Sequence, residues 1–323
     1  MDMGKKLGLN QAYAQINAAS SPTQVGTDTT WTSHYQIVNY SSAAIKTDGT
    51  LWTWGSNYGG SLGLNAPHPG GMVSSPTQVG TATNWASLNS GSEGYKVMGA
   101  INTDGELYTW GRGNYGELGN NSSYLGGGTW QLSSPTQIPG TTWSVVRGGN
   151  ERTFAGKTDG TLWYWGSNQY GQLGLNQAGS YPSGAWRQSP TQVGTSTDWN
   201  VSTDTMTTGD KQTLVIKTDG TLWGWGGNYY GELGLNTGGS PARISSPAQI
   251  GTETTWSKIS AGAYNTFGLK TDGSMWGWGS GSNTYTSAVG WNQTIDISSP
   301  IQISGTWTAV TGMRQNAMGI KEG

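Results

Sequence analysis

The feature that most constrains this sequence is an internal repeat that recurs along the chain. Thr-Asp-Gly occurs five times, and successive aspartates are 56, 55, 60 and 53 residues apart. Each copy leads into an apolar run that ends in Trp-Gly, and a later Ser-Pro-x-Gln segment precedes Val or Ile. A period of this length is typical of propellers and solenoids, in which each unit buries its apolar faces against its neighbours.

Each repeat predicts four short strands. A recurring Trp opens strand A, the segment before Thr-Asp-Gly is strand B, the Trp-Gly run is strand C, and Ser-Pro-x-Gln is strand D. Asp-Gly predicts a tight turn between strands B and C, because both central residues of that turn need a positive φ. Proline near the start of strand D suits an edge strand. We therefore predict an all-β fold, a six-bladed β-propeller of four-stranded antiparallel blades.

The two ends of the chain each read as half a blade. The last residues match strands A and B, whereas the first residues match strands C and D, so we expect them to close the sixth blade together and remove free sheet edges. The chain is then a single domain, 1–323. Its predicted blades are 31–80, 85–139, 143–194, 199–251, 256–304, and 307–323 joined by 1–26.

Composition and charge exclude several classes of function. The chain has 54 Gly, 18 Trp and no Cys, its charged residues amount to 11%, and its formal net charge is −2. The absence of Cys removes disulfides, thiolate nucleophiles and Cys-based zinc sites. The sequence has no basic run, which would predict a nucleic-acid partner. It also has no 18-residue apolar stretch, which would predict membrane insertion, and no signal-peptide core, which would predict classical secretion. No spacing predicts a metal site or a cofactor.

One unit carries a clear family resemblance. Residues 158–174 read Thr-Asp-Gly-Thr-Leu-Trp-Tyr-Trp-Gly-Ser-Asn-Gln-Tyr-Gly-Gln-Leu-Gly, which resembles the repeat of the regulator of chromosome condensation family. The resemblance implies a propeller, although the usual member has seven blades. It implies no single activity, because the family includes a GTPase exchange factor, a β-lactamase inhibitor protein and a plant ultraviolet photoreceptor. The basic tail of a chromatin binder and the photoreceptor's Gly-Trp-Arg-His-Thr context are both missing here.

The connections that depart from the template predict where this chain binds. Antiparallel blades send their A–B and C–D connections to one face, and variable loops on a rigid scaffold usually carry binding. The C–D loops of blades 2 and 3 are long, and they hold aromatic residues of the types enriched in interface hot spots. The candidate residues in these loops are Tyr124, Trp130, Tyr181, Trp186 and Arg187. The alternative is that these rings only pack the long loops closed.

A second set of candidates is predicted in the A–B loops, around the mouth of the central channel on the same face. The predicted binding residues of this set are His34, Arg147 and Arg152. The alternative is that they form a solvated polar rim.

The sequence favours a non-enzymatic propeller that binds a protein or a glycan through this face. Its Gly-, Ser-, Thr- and Trp-rich makeup resembles a phage virion accessory protein, which makes other virion proteins a candidate class of partner. One alternative is a glycan-active enzyme with a carboxylate pair at the channel mouth, drawn from Glu93, Glu151, Asp204 and Asp210. The other alternative is a GTPase regulator, which the family resemblance permits.

Overall fold

The structure is a computed structural model. It describes residues 27–38, 40–66, 71–89, 97–122, 130–176, 186–237, 242–281, 295–312 and 317–321. The described residues form antiparallel β-sheets, and they contain no helix long and apolar enough to cross a membrane. The predicted all-β propeller of four-stranded antiparallel blades is confirmed.

The strands follow one another along the chain in the order A, B, C, D within each blade. Blade 1 contains β1 Trp31–Val38, β2 Ser41–Lys46, β3 Leu51–Ser56 and β4 Met72–Gln78. Blade 2 contains β5 Trp85–Leu88, β6 Val97–Asn102, β7 Leu107–Arg112 and β8 Gln131–Gln137. Blade 3 contains β9 Trp143–Gly149, β10 Arg152–Lys157, β11 Leu162–Ser167 and β12 Trp186–Gln192.

The later blades follow the same order. Blade 4 contains β13 Met206–Thr208, β14 Gln212–Ile216, β15 Leu222–Gly227 and β16 Arg243–Gln249. Blade 5 contains β17 Trp256–Ala261, β18 Asn265–Lys270, β19 Ser274–Gly279 and the first part of β20, which spans Ile297–Gly312. Strand β20 pairs with β19 up to Thr306 and with β21, Ala317–Lys321, from Trp307 onward. It therefore serves as strand D of blade 5 and strand A of blade 6. The strands C and D that residues 1–26 are predicted to add to blade 6 lie outside the described residues.

The B–C turns are held by the aspartate of Thr-Asp-Gly. In blade 3, Asp159 Oδ1 accepts the backbone N–H of Thr161 at 2.9 Å and its hydroxyl at 2.6 Å. Equivalent bonds form in blades 1, 4 and 5, and they lower the pKa of the turn aspartates. The glycine that follows has a positive φ, and a Cβ added to Gly160 would lie 2.1 Å from the carbonyl oxygen of Thr197. Only glycine fits there.

Paired indoles and a lysine fill the space behind four of these turns. In blade 4, Lys217 Nζ lies 4.9 Å from the ring centroid of Trp199 and 4.7 Å from that of Trp223. Blades 1, 3 and 5 repeat this arrangement, with lysine-to-centroid distances between 3.8 and 5.1 Å. A cation over an aromatic face adds electrostatic attraction to the burial of the rings. The template Trp residues therefore belong to the core.

Two kinds of hydrogen bond join consecutive blades. The last Trp of strand C donates its indole N–H to a carbonyl in the C–D loop of the preceding blade, as Trp165 does to Glu117 at 2.7 Å. The same bond recurs from Trp110, Trp225 and Trp278. An Asn with positive φ, which follows the Leu-Gly element of each of these loops, donates its backbone N–H to strand D of the next blade, as Asn176 does to Ser245 at 2.7 Å. The template's Gly-Glu-Leu-Gly and Asn residues thus link the blades.

The A strands of the later blades are tied directly to one another. Thr208 Oγ1 donates to the carbonyl of Gly148 at 3.2 Å, the N–H of Ala261 donates to Thr207 Oγ1 at 3.0 Å, and the N–H of Gly312 donates to Ser260 Oγ at 2.8 Å. These bonds connect blades 3, 4, 5 and 6 in chain order. They place the A strands side by side, as expected for the inner strands of a propeller.

Blade 4 departs from the predicted strand A. The repeat predicts that the strand begins at Trp199, but Trp199 forms only an isolated bridge with Lys217, and β13 begins seven residues later at Met206. The intervening residues turn back on themselves through Thr205, whose hydroxyl hydrogen-bonds to the Ser202 hydroxyl at 2.8 Å. Asp204 therefore lies in this turn rather than in an A–B loop. Its carbonyl accepts the N–H of Ile259 from the next blade at 2.8 Å.

Candidate interaction face

The A–B and C–D connections meet on one side of the described sheets, which we call the loop face. Lys211, in the A–B loop of blade 4, lies over Tyr170 from the C–D loop of blade 3. Tyr264, in the A–B loop of blade 5, packs against Tyr230 from the C–D loop of blade 4. The opposite side carries the Asp-Gly turns and the D–A connections, and we call it the turn face. The two predicted classes of connection are therefore separated where the structure describes them.

Three side chains form the first cluster on the loop face. The guanidinium carbon of Arg112, at the end of β7, lies 4.8 Å from the Trp130 ring centroid and 5.3 Å from the Tyr58 ring centroid. Arg112 also donates hydrogen bonds to the Tyr58 hydroxyl and, at 3.1 Å, to Asn114 Oδ1. Tyr58 is 47% exposed. The arginine thus holds an exposed tyrosine of blade 1 beside a tryptophan of blade 2.

The second cluster spans blades 3 to 5. Lys211 Nζ lies 4.5 Å from the ring centroid of Tyr170 and 5.2 Å from that of Tyr229, and these two rings meet edge-on. Burial acts to lower the pKa of Lys211, but the neighbouring Tyr170, Asp210 and Tyr264 outweigh it and raise that pKa. The lysine therefore stays charged at neutral pH. Tyr229 is 42% exposed and offers its ring to solvent beside this charge.

The residues predicted in the long C–D loops fall in different places. Trp130 directly precedes β8 and packs on Arg112, so it does contribute to the loop face. Trp186 and Arg187 are not in a loop, because they begin β12, where Trp186 pairs with Ser167. Their half-buried side chains stand at the start of strand D. Tyr124 and Tyr181 lie outside the described residues.

The residues predicted around the channel mouth are strand residues in the structure. His34 is an exposed residue within β1, and its backbone N–H donates to Thr32 Oγ1 at 3.1 Å. Arg147 is a half-buried residue of β9 that donates to the carbonyl of Thr203 in blade 4. The A–B connection of blade 3 is shorter than the sequence indicated, which is why neither arginine of this region belongs to a loop.

Arg152 is removed from the set of candidate contact residues. It lies in β10, is 0% exposed, and its guanidinium donates to the carbonyls of Gly209, Asp210 and Gln212 at 2.9–3.0 Å, all in blade 4. A buried charge is stable only when its donors are satisfied in this way. Arg152 therefore joins blades 3 and 4 from inside the sheet, and the prediction that it faces the channel mouth is wrong.

Two carboxylates of the alternative glycosidase hypothesis, Asp204 and Asp210, already have structural partners. Asp210 accepts a hydrogen bond from the Asn150 amide, and Asp204 lies 3.4 Å from Lys258 Nζ. Glu151 adopts a positive φ of 60° in the turn between β9 and β10. Glu93 lies outside the described residues. Within the described ranges, no group of three or more His, Cys, Asp or Glu residues is arranged to hold a metal ion.

Sequence reasoning missed the tyrosines of the loop face. Tyr58 and Tyr229 occupy one position after the Trp-Gly run of their repeats, and Tyr170 and Tyr230 occupy the next position; recurrence in a repeat usually indicates scaffold. The structure exposes two of them beside Arg112 and Lys211. The signal available in the sequence is that each tyrosine is followed by a loop on the predicted variable face. A recurring residue can therefore be part of the scaffold and still be presented to a partner.

Comparisons with known proteins agree with this architecture. The regulator of chromosome condensation (RCC1) repeat matches residues 104–155, 159–216 and 219–269, and a second model of the same repeat matches 256–285. The chain is 27% identical over 261 residues to the ultraviolet-B receptor UVR8 of Arabidopsis thaliana, covering 80% of this chain and 54% of the receptor. It is 29% identical over 281 residues to the regulator of chromosome condensation of Mus musculus, covering 82% of this chain and 62% of the mouse protein.

A solved structure shows the same fold. Yeast RCC1 (Prp20), determined bound to Kap60, superposes with a TM-score of 0.64 at 19% identity, covering 90% of this chain and 80% of that one. The chain spans less than two thirds of the length of the curated relatives named above. The repeat matches, which together cover more than half of the residues, show that this chain belongs to the regulator of chromosome condensation repeat family.

Proposed function

We propose that this propeller is a non-enzymatic interaction protein that binds a protein partner through its loop face. The observation that carries the proposal is the pair of aromatic–cation clusters, in which Arg112 and Lys211 each bridge aromatic rings from neighbouring repeats. Tyr, Trp and Arg are the residue types that dominate binding energy at protein interfaces. Yeast RCC1, a member of the same fold, was crystallised bound to another protein.

The rigidity of the clusters favours binding. A tyrosine that is already held by a cation loses little conformational freedom when a partner covers it, so more of the contact energy appears as affinity. Tyr58 and Tyr229 are the exposed members of the two clusters, and they belong to blades 1 and 4. A partner that touches both must span several blades. That requirement favours a folded protein surface over a small molecule.

The residues predicted from sequence enter the proposal at the edge of this surface. Trp130 is part of the first cluster, whereas Trp186 and Arg187 flank the loop of blade 2, whose Gly116 packs on the Arg187 backbone. We propose that Tyr124 and Tyr181 extend the same surface, and that His34 and Arg147 border it. A virion protein or a small GTPase as the partner is a narrower hypothesis. The former is supported by composition, and the latter by family membership.

The experiment is an affinity capture with matched variants. The purified propeller is immobilised, partners are captured from a lysate of its source, and captured proteins are identified by mass spectrometry. Tyr58→Ala and Tyr229→Ala each remove an exposed ring of the loop face, while Thr252→Arg places a bulky charge at an exposed position of the turn face. Dissociation constants for a captured partner are then measured with each variant.

We expect each tyrosine variant to bind at least about tenfold more weakly, which is the loss of about 1.4 kcal/mol. Thr252→Arg should bind as the parent does. The proposal is wrong if Thr252→Arg abolishes binding and the tyrosine variants do not. Recovery of a GTPase or of a virion protein decides between the two narrower hypotheses.

A further inference from the structure

Blade 2 lacks three side chains that the other described blades share behind the B–C turn. Asn102 replaces the lysine that stacks on the Trp pair, Glu106 replaces the Thr or Ser after Asp-Gly, and Tyr108 replaces the Trp that strand C contributes to that pair. In the other blades this strand C residue is Trp52, Trp163, Trp223 or Trp276. Asn and Tyr are smaller than Lys and Trp, so blade 2 fills less of the space beside its neighbour.

The replacements also fold back onto their own turn. Asn102 Oδ1 accepts the N–H of Glu106 at 2.9 Å, and Asn102 Nδ2 donates to Glu106 Oε2 at 2.8 Å. The Tyr108 hydroxyl donates to the same carboxylate oxygen at 3.0 Å. The Tyr108 ring centroid lies 5.1 Å from that of Trp85, whereas the Trp pairs of the other blades are 6.0–6.3 Å apart. Asn102, Glu106 and Tyr108 are thus bonded to one another beside the B–C turn, and Tyr108 lies closer to Trp85 than the equivalent Trp does to its partner in the other blades.

A cleft of about 620 Å³ lies at that boundary, between the end of blade 1 and strands of blade 2. This volume is within the range of about 300–1,000 Å³ that small-molecule sites occupy. Apolar parts of the wall come from Tyr108, Trp85 and Pro135, and polar parts from the amides of Asn65, Gln78 and Asn84. Tyr108, Pro135 and Gln78 are half-buried, and Asn65 is exposed.

The uncharged polar and apolar side chains of the cleft indicate which class of ligand it suits. Among the residues that the structure describes, no lysine, arginine, aspartate or glutamate lines the cleft, so this wall offers a charged ligand no ion pair. Side-chain amides both donate and accept hydrogen bonds, which matches the alternating needs of sugar hydroxyls. Tyr108 and Pro135 contribute apolar ring carbons to the wall, which suit the C–H face of a pyranose. We propose that the cleft between blades 1 and 2 is a binding site for a neutral glycan.

This site is distinct from the proposed protein-binding clusters, because none of Tyr58, Arg112 or Tyr229 lines the cleft. A variant can therefore affect one site and leave the other intact. The other repeats of the chain indicate which substitution to use. Tyr108→Trp introduces the residue that blades 1, 3, 4 and 5 carry at this position, Trp52, Trp163, Trp223 and Trp276, so the substitution is compatible with a blade of this type.

The test measures binding of neutral sugars by saturation-transfer difference NMR, followed by calorimetric titration of those that bind. The probes are glucose, galactose, mannose and N-acetylglucosamine, each as the free sugar and as an oligosaccharide. The parent should bind at least one of them. Tyr108→Trp should bind it at least tenfold more weakly, because the larger indole occupies the cleft, while Tyr58→Ala should bind it as the parent does.

A second variant guards against loss of folding. Gln78→Leu removes one amide from the wall without enlarging the side chain, and it should also weaken sugar binding severalfold. Thermal unfolding of each variant checks that it is folded. The proposal is overturned if the parent binds none of the sugars, or if Tyr108→Trp and Gln78→Leu fold and bind them unchanged. Loss of sugar binding in Tyr58→Ala alone would move the site to the loop face and overturn it equally.

Discussion

A buried glutamate of the C–D loop of blade 4 gives a prediction that can be worked out in detail. Glu232 is 1% exposed, and burial raises its pKa to about 7 even though its carboxylate accepts the N–H of Tyr230 at 2.8 Å. In the unfolded chain the same group has a pKa near 4.5. The folded state therefore binds this proton more tightly than the unfolded state does.

The sign and size of the effect follow from that difference. A raised pKa contributes stability below about pH 4.5, and this contribution is lost as the pH rises through about 7. When the folded and unfolded pKa values of a group differ by one, the free energy of unfolding changes by about 1.4 kcal/mol, so ionised Glu232 lowers it by about 3 kcal/mol above pH 8. Glu232→Gln cannot ionise. Its free energy of unfolding, relative to the parent, should therefore rise by about 3 kcal/mol between pH 4 and pH 9.

The assay is urea unfolding followed by tryptophan fluorescence at several pH values, with the variant and the parent compared at each pH. Other titrating groups are common to both proteins, so they cancel in the difference. Gln172 occupies the same position in blade 3, where its Oε1 accepts the N–H of Tyr170 at 2.7 Å, which indicates that glutamine fits. Gln172→Glu is the reverse control and should acquire the pH dependence. Parallel curves for Glu232→Gln and the parent from pH 4 to pH 9 would refute the reasoning.

Three further substitutions test the scaffold by urea unfolding. Arg152→Met removes a buried donor from three carbonyls of blade 4, of which that of Gln212 keeps the N–H of Gly209, and it should cost at least about 3 kcal/mol; a loss below about 1 kcal/mol would contradict the interblade role. Lys217→Met removes the cation between two indoles and should cost about 1–2 kcal/mol, whereas no change would show that burial of the rings is sufficient. Gly220→Ala would place a Cβ 2.0 Å from a carbonyl oxygen, at a φ of +81°. It should destabilise the fold far more than Gly251→Ala, where the Cβ meets no neighbouring atom and the positive φ alone costs about 1–2 kcal/mol. Equal losses would contradict the steric argument.

Much of the fold could be predicted from the sequence because one pattern is repeated. The predicted strand C of blade 5 begins at Ser274 and ends at Gly279, as β19 does, and tight turns occur at Asp-Gly with their aspartate bonds. The predicted turn type is wrong, because the Gly has a positive φ but the Asp before it does not. Strand D is an edge strand in the described sheets of the first four blades, as its proline indicated. Repetition made each assignment checkable against the other copies, and the same physical solution recurs wherever the same residues do.

The exceptions have local causes that no repeat reveals. The residues from 200 to 205 insert a turn before β13, so strand A of blade 4 is shorter than its Trp predicts. Arg152 has the sequence context of a loop charge, but the A–B turn of blade 3 is so tight that the residue is already inside a strand. Its partners are backbone carbonyls about 57–60 residues away in the chain, and backbone acceptors carry no sequence signal.

The candidate surface could be predicted only in part from the sequence, for a different reason. The sequence predicted which connections share the loop face and placed Trp130 among them, because loop length and residue type are local properties. It did not reveal that Arg112 and Lys211 each contact aromatic rings of two repeats, since those contacts depend on how adjacent blades are rotated against one another. The cleft beside Tyr108 is the reverse case. The sequence shows the three missing template residues, but only the packing of blade 1 shows that a cleft remains between the described parts of the two blades.

Hydrogen–deuterium exchange of the propeller with and without a captured protein partner tests the central proposal most directly. If the loop face is the binding surface, peptides that contain Tyr58, Arg112 and Lys211 become protected in the complex, and peptides at the Asp-Gly turns exchange as they do in the free protein. Protection confined to the Asp-Gly turns and D–A connections, with unchanged exchange at those three residues, would contradict the proposal.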